Sequence, residues 1–203
     1  VISFSQIRRR ILSLPMLFKK QSGKLVMSCD GSGIKAGNRG EWMRQKWQVK
    51  RGWIKVVIMG NTQGDIVDIR IGNEELDERA AARGMIRRHR RSIRKILLDG
   101  WHDCNETFDL CARYGIEPGI KIRENAKERG LGVRPREVRK FKKWGYNRWA
   151  KEKGYGERWL ASEGIFSAVK RMFGEGVRCY RIRNMYREAG LKFWAYQQVH
   201  DVA

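Results

Sequence analysis

The chain has 203 residues, with 44 Lys plus Arg against 22 Asp plus Glu and a formal charge of +22 at pH 7. That length holds one well-packed domain, with or without a sizeable insertion, and excludes two large independent ones. The basic excess runs from Arg8 to Arg187 and repels itself unless a polyanion neutralises it; nucleic acid fits best, because its phosphates release counterions to Lys and Arg.

Residues 4 to 20 read as a basic helix that ends near the Leu14-Pro15 step, before the loop Gln21-Ser22-Gly23. Residues 1–23 are thus expected to form a basic helical leader, the remnant of a DNA-binding region. The run LVMSCD (25–30) predicts a buried strand that delivers Asp30 at its carboxyl end, with turn chemistry in the following DGSG. WIKVVIM (53–59) and DIVDIRI (65–71) flank Gly60-Asn61-Thr62-Gln63-Gly64, a hairpin pattern, so the first three strands are expected as an antiparallel meander. EELDERAAARGMIRRHRRS (74–92) is acidic early and basic late, as a helix dipole prefers. KILLD (95–99) predicts a second buried strand ending in an acid, and NETFDLCARYG (105–115) a helix stopped by Gly. A fifth strand fits IEPGIKIR (116–123), pushed to a sheet edge by Pro118.

Residues 124–159 change character: charge is dense, apolar periodicity is weak, and Trp144, Tyr146, Trp149, Tyr155 and Trp159 alternate with Lys and Arg. This segment is expected to be an inserted, exposed binding element, with Trp149 contacting DNA. From Ser162 a helical stripe returns through Ile165, Phe166, Val169, Met172 and Phe173, followed by a last helix over about 182–199. The order β-β-β-α-β-α-β, insertion, α-α is that of an RNase H-like α/β fold over residues 24–203. Such a fold is a mixed sheet flanked by helices, with the insertion between the last strand and the Glu-bearing helix. No run of about 18 apolar residues appears, and the start ISFSQIRRRILSLPMLFKK is too charged for a secretory signal, so no membrane partner is expected. Cys29, Cys104, Cys111 and Cys179 form no close pair and read as buried thiols of a reducing compartment. His89, His102 and His200 are too far apart in the chain to supply the paired ligands of a zinc site.

Asp30 and Asp99 each close a short apolar run and each precedes a Gly. Neighbouring strand ends place two such carboxylates together, an unfavourable arrangement unless a cation holds them; two magnesium ions about 3.5–4 Å apart satisfy it. Glu163 begins the helix after the insertion, and Lys170 lies about two turns on, near the same face. Lys170 and Arg171 then suit phosphate contacts, which position DNA without reading its sequence. Each residue also has an ordinary reading: a strand-end Asp as a turn residue, Glu163 as a favourable charge at a helix start.

Three blocks carry a family resemblance: CDGSGIK (29–35), LLDGWHD (97–103) and GYGERWLASEGIFSAVKRMFGE (154–175), the last with a Tyr155, Arg158, Glu163, Lys170 signature. Over residues 24 to 195 the chain resembles the bacterial and archaeal insertion-sequence transposases with a DDE catalytic core. The resemblance implies an RNase H-like fold, two Mg2+ ions replaceable by Mn2+, and cleavage of transposon ends with strand transfer into target double-stranded DNA. It also implies a homo-oligomer on DNA in a prokaryotic cytoplasm, associated with the nucleoid. Asp30, Asp99 and Glu163 are then the catalytic metal ligands, and Tyr155, Arg158 and Lys170 support the site or contact DNA. The Arg158 to Glu163 interval is one residue longer than the family signature. Asp103 competes with Asp99 for the second ligand but suits a cap for the following helix better. Relatives usually carry a DNA-binding region ahead of the core, often helix-turn-helix, so a truncated copy or one part of a split enzyme is the expectation here. Two rival readings are a non-catalytic nucleic-acid binder, gripping through 42–55 and 142–159, and a nuclease of the same fold that cuts without joining.

Overall fold

The computed structural model describes residues 2–36 and 53–202. Helix α1 (Phe4–Ser13) starts with a capping box, in which Ser3 Oγ accepts from the Gln6 amide and Gln6 Oε1 from the Ser3 amide. It stops at Leu14, before Pro15, and buries no residue. Strands β1 (Leu25–Lys35), β2 (Trp53–Asn61) and β3 (Ile66–Gly72) form the expected antiparallel meander. The β2–β3 loop is closed by Asn61, whose Oδ1 accepts from the amides of Gln63 and Asp65. Helix α2 (Glu78–His89) is shorter than 74–92, because Asp77 caps it by accepting from the Ala80 amide. Strand β4 (Ile93–Leu98), helix α3 (Asn105–Arg113) and strand β5 (Glu117–Ile120) follow. The rest is helical: α4 (Val133–Lys153), α5 (Gly164–Phe173) and α6 (Ile182–His200). Among the described residues no helix is long and apolar enough to cross a membrane.

The sheet order is β3-β2-β1-β4-β5, with β4 parallel to both β1 and β5. β5, which holds Pro118, is an edge as expected. This is the RNase H-like α/β arrangement that the element order predicts. Both faces are covered, which is why its strands are nearly continuous apolar runs rather than alternating ones. On one face Met27, Cys29, Met59, Ile96 and Leu98 pack with Met85 and Ile86 of α2 and Phe108 of α3. On the other, Ile34, Val56 and Ile58 meet Ile165, Phe166 and Val169 of α5 and Phe193 of α6.

Segment 124–159 corrects the sequence reading. Val138, early in α4, belongs to the first face, whereas Trp149, late in α4, packs with Val26, Leu97 and Tyr155 on the second. The helix turns at Gly145, whose φ of 72° only glycine adopts easily. Because each half buries a different stripe, no single helical period runs through α4. Trp149 is 1% exposed, with ring centroids 5.2 Å from Phe141 and 5.0 Å from Tyr155. It is therefore core and not a DNA contact. Met172, placed in the apolar stripe, is exposed as well. Cys29 and Cys111 are buried but Cys104 and Cys179 only half so, and all four are free thiols. Of the basic stretch 42–55, residues 42–52 lie outside those described.

Candidate active site

The parallel pairing of β1 with β4 runs Val26 with Lys95, Met27 with Ile96 and Ser28 with Leu97. Two residues further along that register stand Asp30 and Asp99, on the same face of adjacent strands, whose axes lie about 4.8 Å apart. The predicted turn at DGSG is absent, since β1 continues through Gly31, Ser32 and Gly33 paired with Val57, Val56 and Lys55 of β2. Asp30 thus sits mid-strand, where β1 loses its β4 neighbour. Its Oδ1 accepts from the Gly31 amide at 3.0 Å, and Asp99 Oδ1 accepts from the Trp101 amide at 3.0 Å. Burial pushes the Asp30 carboxyl up to about 6; Arg158 and the Gly31 amide oppose this rise, and Glu78 and Asp99 add to it.

Glu163 arrives by a different route. α4 ends at Gly154 in the left-handed conformation, a 3-10 turn spans Tyr155–Glu157, and a π-helical turn, Trp159–Glu163, leads into α5. A π turn carries one residue more than an α turn, which accounts for the long Arg158 to Glu163 interval. The turn lies close on the sheet: a Cβ at Gly60 of β2 would fall 2.2 Å from the Ala161 carbonyl oxygen, and Ser162 Oγ is 3.3 Å from Ser28 Oγ in a buried pair. Arg158 then bridges the two carboxylates, with Nη1 3.4 Å from Asp30 Oδ2 and Nη2 donating to Glu163 Oε1. Burial works against the Arg158 charge, yet Tyr155, Asp30, Glu163 and Asp99 together hold its pKa above the ordinary value. The Tyr155 hydroxyl donates to the Leu98 carbonyl at 3.2 Å, and burial pushes its pKa up to about 12. Lys170 Nζ donates to Ser32 Oγ at 2.9 Å, beside the same stretch of β1, while Arg171 is exposed.

Asp30, Asp99, Glu163, Tyr155, Arg158 and Lys170 are therefore gathered at one end of the sheet, and Trp149 lies beneath them in the core. Asp103 does not cap α3, whose N-cap position is Cys104 with no side-chain capping bond to the backbone. Its buried carboxylate accepts instead from Arg134 Nε at 2.6 Å and the Arg123 amide at 3.1 Å. Among the described residues, no three His, Cys, Asp or Glu side chains are gathered into a metal-ligating group as they stand; Arg158 occupies the space between two of the candidates. Sequence reasoning missed the cavity of about 700 Å3 beside Asp99, lined also by Lys121, Arg123, Asn125, Tyr146 and Arg158. It missed Glu78 as well, whose Oε2 lies 2.4 Å from where a Cβ at Gly31 would stand. His102, three residues after Asp99 in LLDGWHD, was the one local signal available.

The chain matches the family model for the transposase DDE domain over residues 21–197. It belongs to that family. The fold of this DDE-domain chain is shared with a piggyBac transposase in a synaptic complex with hairpin DNA, at TM-score 0.53 and 10% identity, covering 88% of this chain and 47% of that one. The DDE-domain chain thus spans about half the length of that transposase. A simian T-cell lymphotropic virus intasome in complex with PP2A regulatory subunit B56 gamma aligns at TM-score 0.35 and 10% identity, over 59% of this chain and 43% of that one. No curated protein matches the chain.

Proposed function

We propose that this chain is the catalytic core of a transposase that cuts transposon-end DNA and transfers the strand into target DNA. One observation carries the reading: Asp30 and Glu163, from separate elements, both pair with the half-buried guanidinium of Arg158, and Asp99 stands beside Asp30 on the neighbouring strand. Such a gathering of like charges is unfavourable without a cation. The donors are hard carboxylate oxygens, which suit Mg2+ or Mn2+. When bound, such ions activate a water or 3′-hydroxyl for in-line attack on a phosphodiester and neutralise the leaving oxygen.

The chain's own residues do the rest. Asp30 and Glu163 would hold the cations in place of Arg158, whose planar guanidinium then suits a phosphate in two-point contact. Lys170 and Arg171 hold the DNA backbone as charges that position it. Tyr155, tied to the Leu98 carbonyl, fixes the end of β4 from which Asp99 projects. DNA as the partner is supported by the charge of +22 and by the hairpin DNA in the piggyBac complex. Assembly as a homo-oligomer on that DNA, in a prokaryotic cytoplasm, belongs to the same proposal.

The test is nicking and joining of plasmid DNA with Mg2+ or Mn2+. Asp30→Asn, Asp99→Asn and Glu163→Gln should each lower the rate about 10³-fold, the effect of losing several kcal/mol of charge stabilisation. Wild-type rates in all three variants would overturn the assignment. Cutting without joining would make the chain a nuclease, and DNA binding with neither activity would make it a non-catalytic binder.

A further inference from the structure

Asp99 has a buried neighbour with no role in the transposase reading above. His102 is 1% exposed, and among the described residues neither of its ring nitrogens has a hydrogen-bond partner. Its Nε2 points into a gap between two carboxylates, 3.7 Å from Glu78 Oε1 and 3.9 Å from Asp99 Oδ1. Both separations exceed hydrogen-bond length. Buried polar groups are almost always satisfied, so an orphaned imidazole facing two acids calls for a species between them. Glu78 enters the gap from the first turn of α2, and its carboxylate fits over β1 only because residue 31 is glycine. Among the described residues, Lys55 is the Lys or Arg within reach of that carboxylate, at 4.0 Å from Glu78 Oε2.

We propose that Glu78, His102 and Asp99 form a cation position of mixed imidazole and carboxylate character beside Asp30, and that it prefers Mn2+ or a similar transition ion to Mg2+. The proposal rests on the reading of Asp30, Asp99 and Glu163 as cation-holding, and adds two ligands and a selectivity to it. Imidazole nitrogen suits first-row transition ions, whereas Mg2+ keeps oxygen ligands and waters. Adjacent ligands of one six-coordinate ion lie roughly 3 Å apart. The imidazole must therefore approach each carboxylate by less than about 1 Å, and an ion supplies the attraction that two carboxylates lack between themselves.

Mn2+ titrated into the whole chain without DNA, followed by calorimetry and pulsed electron paramagnetic resonance, tests this. Bound Mn2+ should show hyperfine coupling to an imidazole ¹⁴N. His102→Gln should abolish that coupling and weaken Mn2+ binding by about tenfold or more, with Mg2+ affinity changed no more than roughly twofold. His200→Gln, at a residue that contacts the Gln63 carbonyl instead, should leave the coupling in place. Mn2+ bound without nitrogen coupling, or coupling that survives His102→Gln, overturns the proposal alone. No Mn2+ binding at all overturns the cation-holding reading beneath it. Should His102→Gln fail to melt cooperatively, Glu78→Gln decides: Mn2+ affinity must fall about tenfold, and unchanged affinity overturns the proposal.

Discussion

Two aspartates and a glutamate arrive at one end of the sheet by different routes. Asp30 and Asp99 are placed by the backbone ladder of β1 and β4, where Ser28 pairs with Leu97 and each acid lies two residues further on. Glu163 is placed by side chains: Trp149 and Tyr155 seat the arm, Gly145 turns it, and Ala161 and Ser162 rest on Gly60 and Ser28. A strand register leaves little freedom, because a slip of one residue inverts every side chain. The arm is only as well placed as its anchors. Damage to an anchor should therefore displace Glu163 while leaving both aspartates where they are.

Trp149→Ala is the strongest way to press that difference. Removing a fully buried Trp from the contact of Val26, Leu97 and Tyr155 should cost about 3–5 kcal/mol, a large share of the 5–15 kcal/mol typical of a domain. Urea melts would read this as a lower midpoint. A loss below about 0.5 kcal/mol, as at ordinary surface positions, together with weaker DNA binding would return Trp149 to the surface.

On the sheet side, Asp30 carries its own signature in pH. Its carboxyl titrates at about 6 in the fold against 3.8 ordinarily, so between these values the folded chain binds more protons than the unfolded one. Stability therefore falls as pH rises from about 4 to about 6 and the penalty persists above. At 1.36 kcal/mol per unit, the ionised group costs at most about 3 kcal/mol. Asp30→Asn, which mimics the neutral acid, should raise the melting temperature in EDTA at pH 7.5, with the gain vanishing near pH 4. Equal gains at both pH values would show that something other than charge is being relieved.

The same contrast explains what could be read from the residues alone. The strands were legible because each is an apolar run bounded by turn residues, and Asp30 and Asp99 stood out because each closes such a run before a Gly. The continuation of β1 through DGSG was hidden, since its cause is pairing with β2, a partner remote in sequence. The burial of Trp149 was hidden by the change of face at Gly145, which breaks the helical period. Glu78 and His102 meet only because α2 begins above Gly31 while the turn after β4 brings His102 alongside, and no local pattern records that meeting. The long Arg158 to Glu163 interval was visible, but its accommodation in a π turn was not.

That turn gives the smallest expected effect and the finest probe of the arm. If Trp159–Glu163 is an α turn with one inserted residue, deletion of Leu160, which is exposed, should restore a regular helix. Arg158 and Glu163 would then be four apart and still neighbours on one helix face. Ala161 and Ser162, which follow the deletion, keep their seats on Gly60 and Ser28. Stability should change by no more than about 1 kcal/mol, and nicking should stay within about threefold, under ~0.7 kcal/mol in the barrier. A folded deletion variant that has lost nicking would mean that the extra residue aims Glu163, so that the arm, like the sheet, sets its carboxylate by backbone geometry.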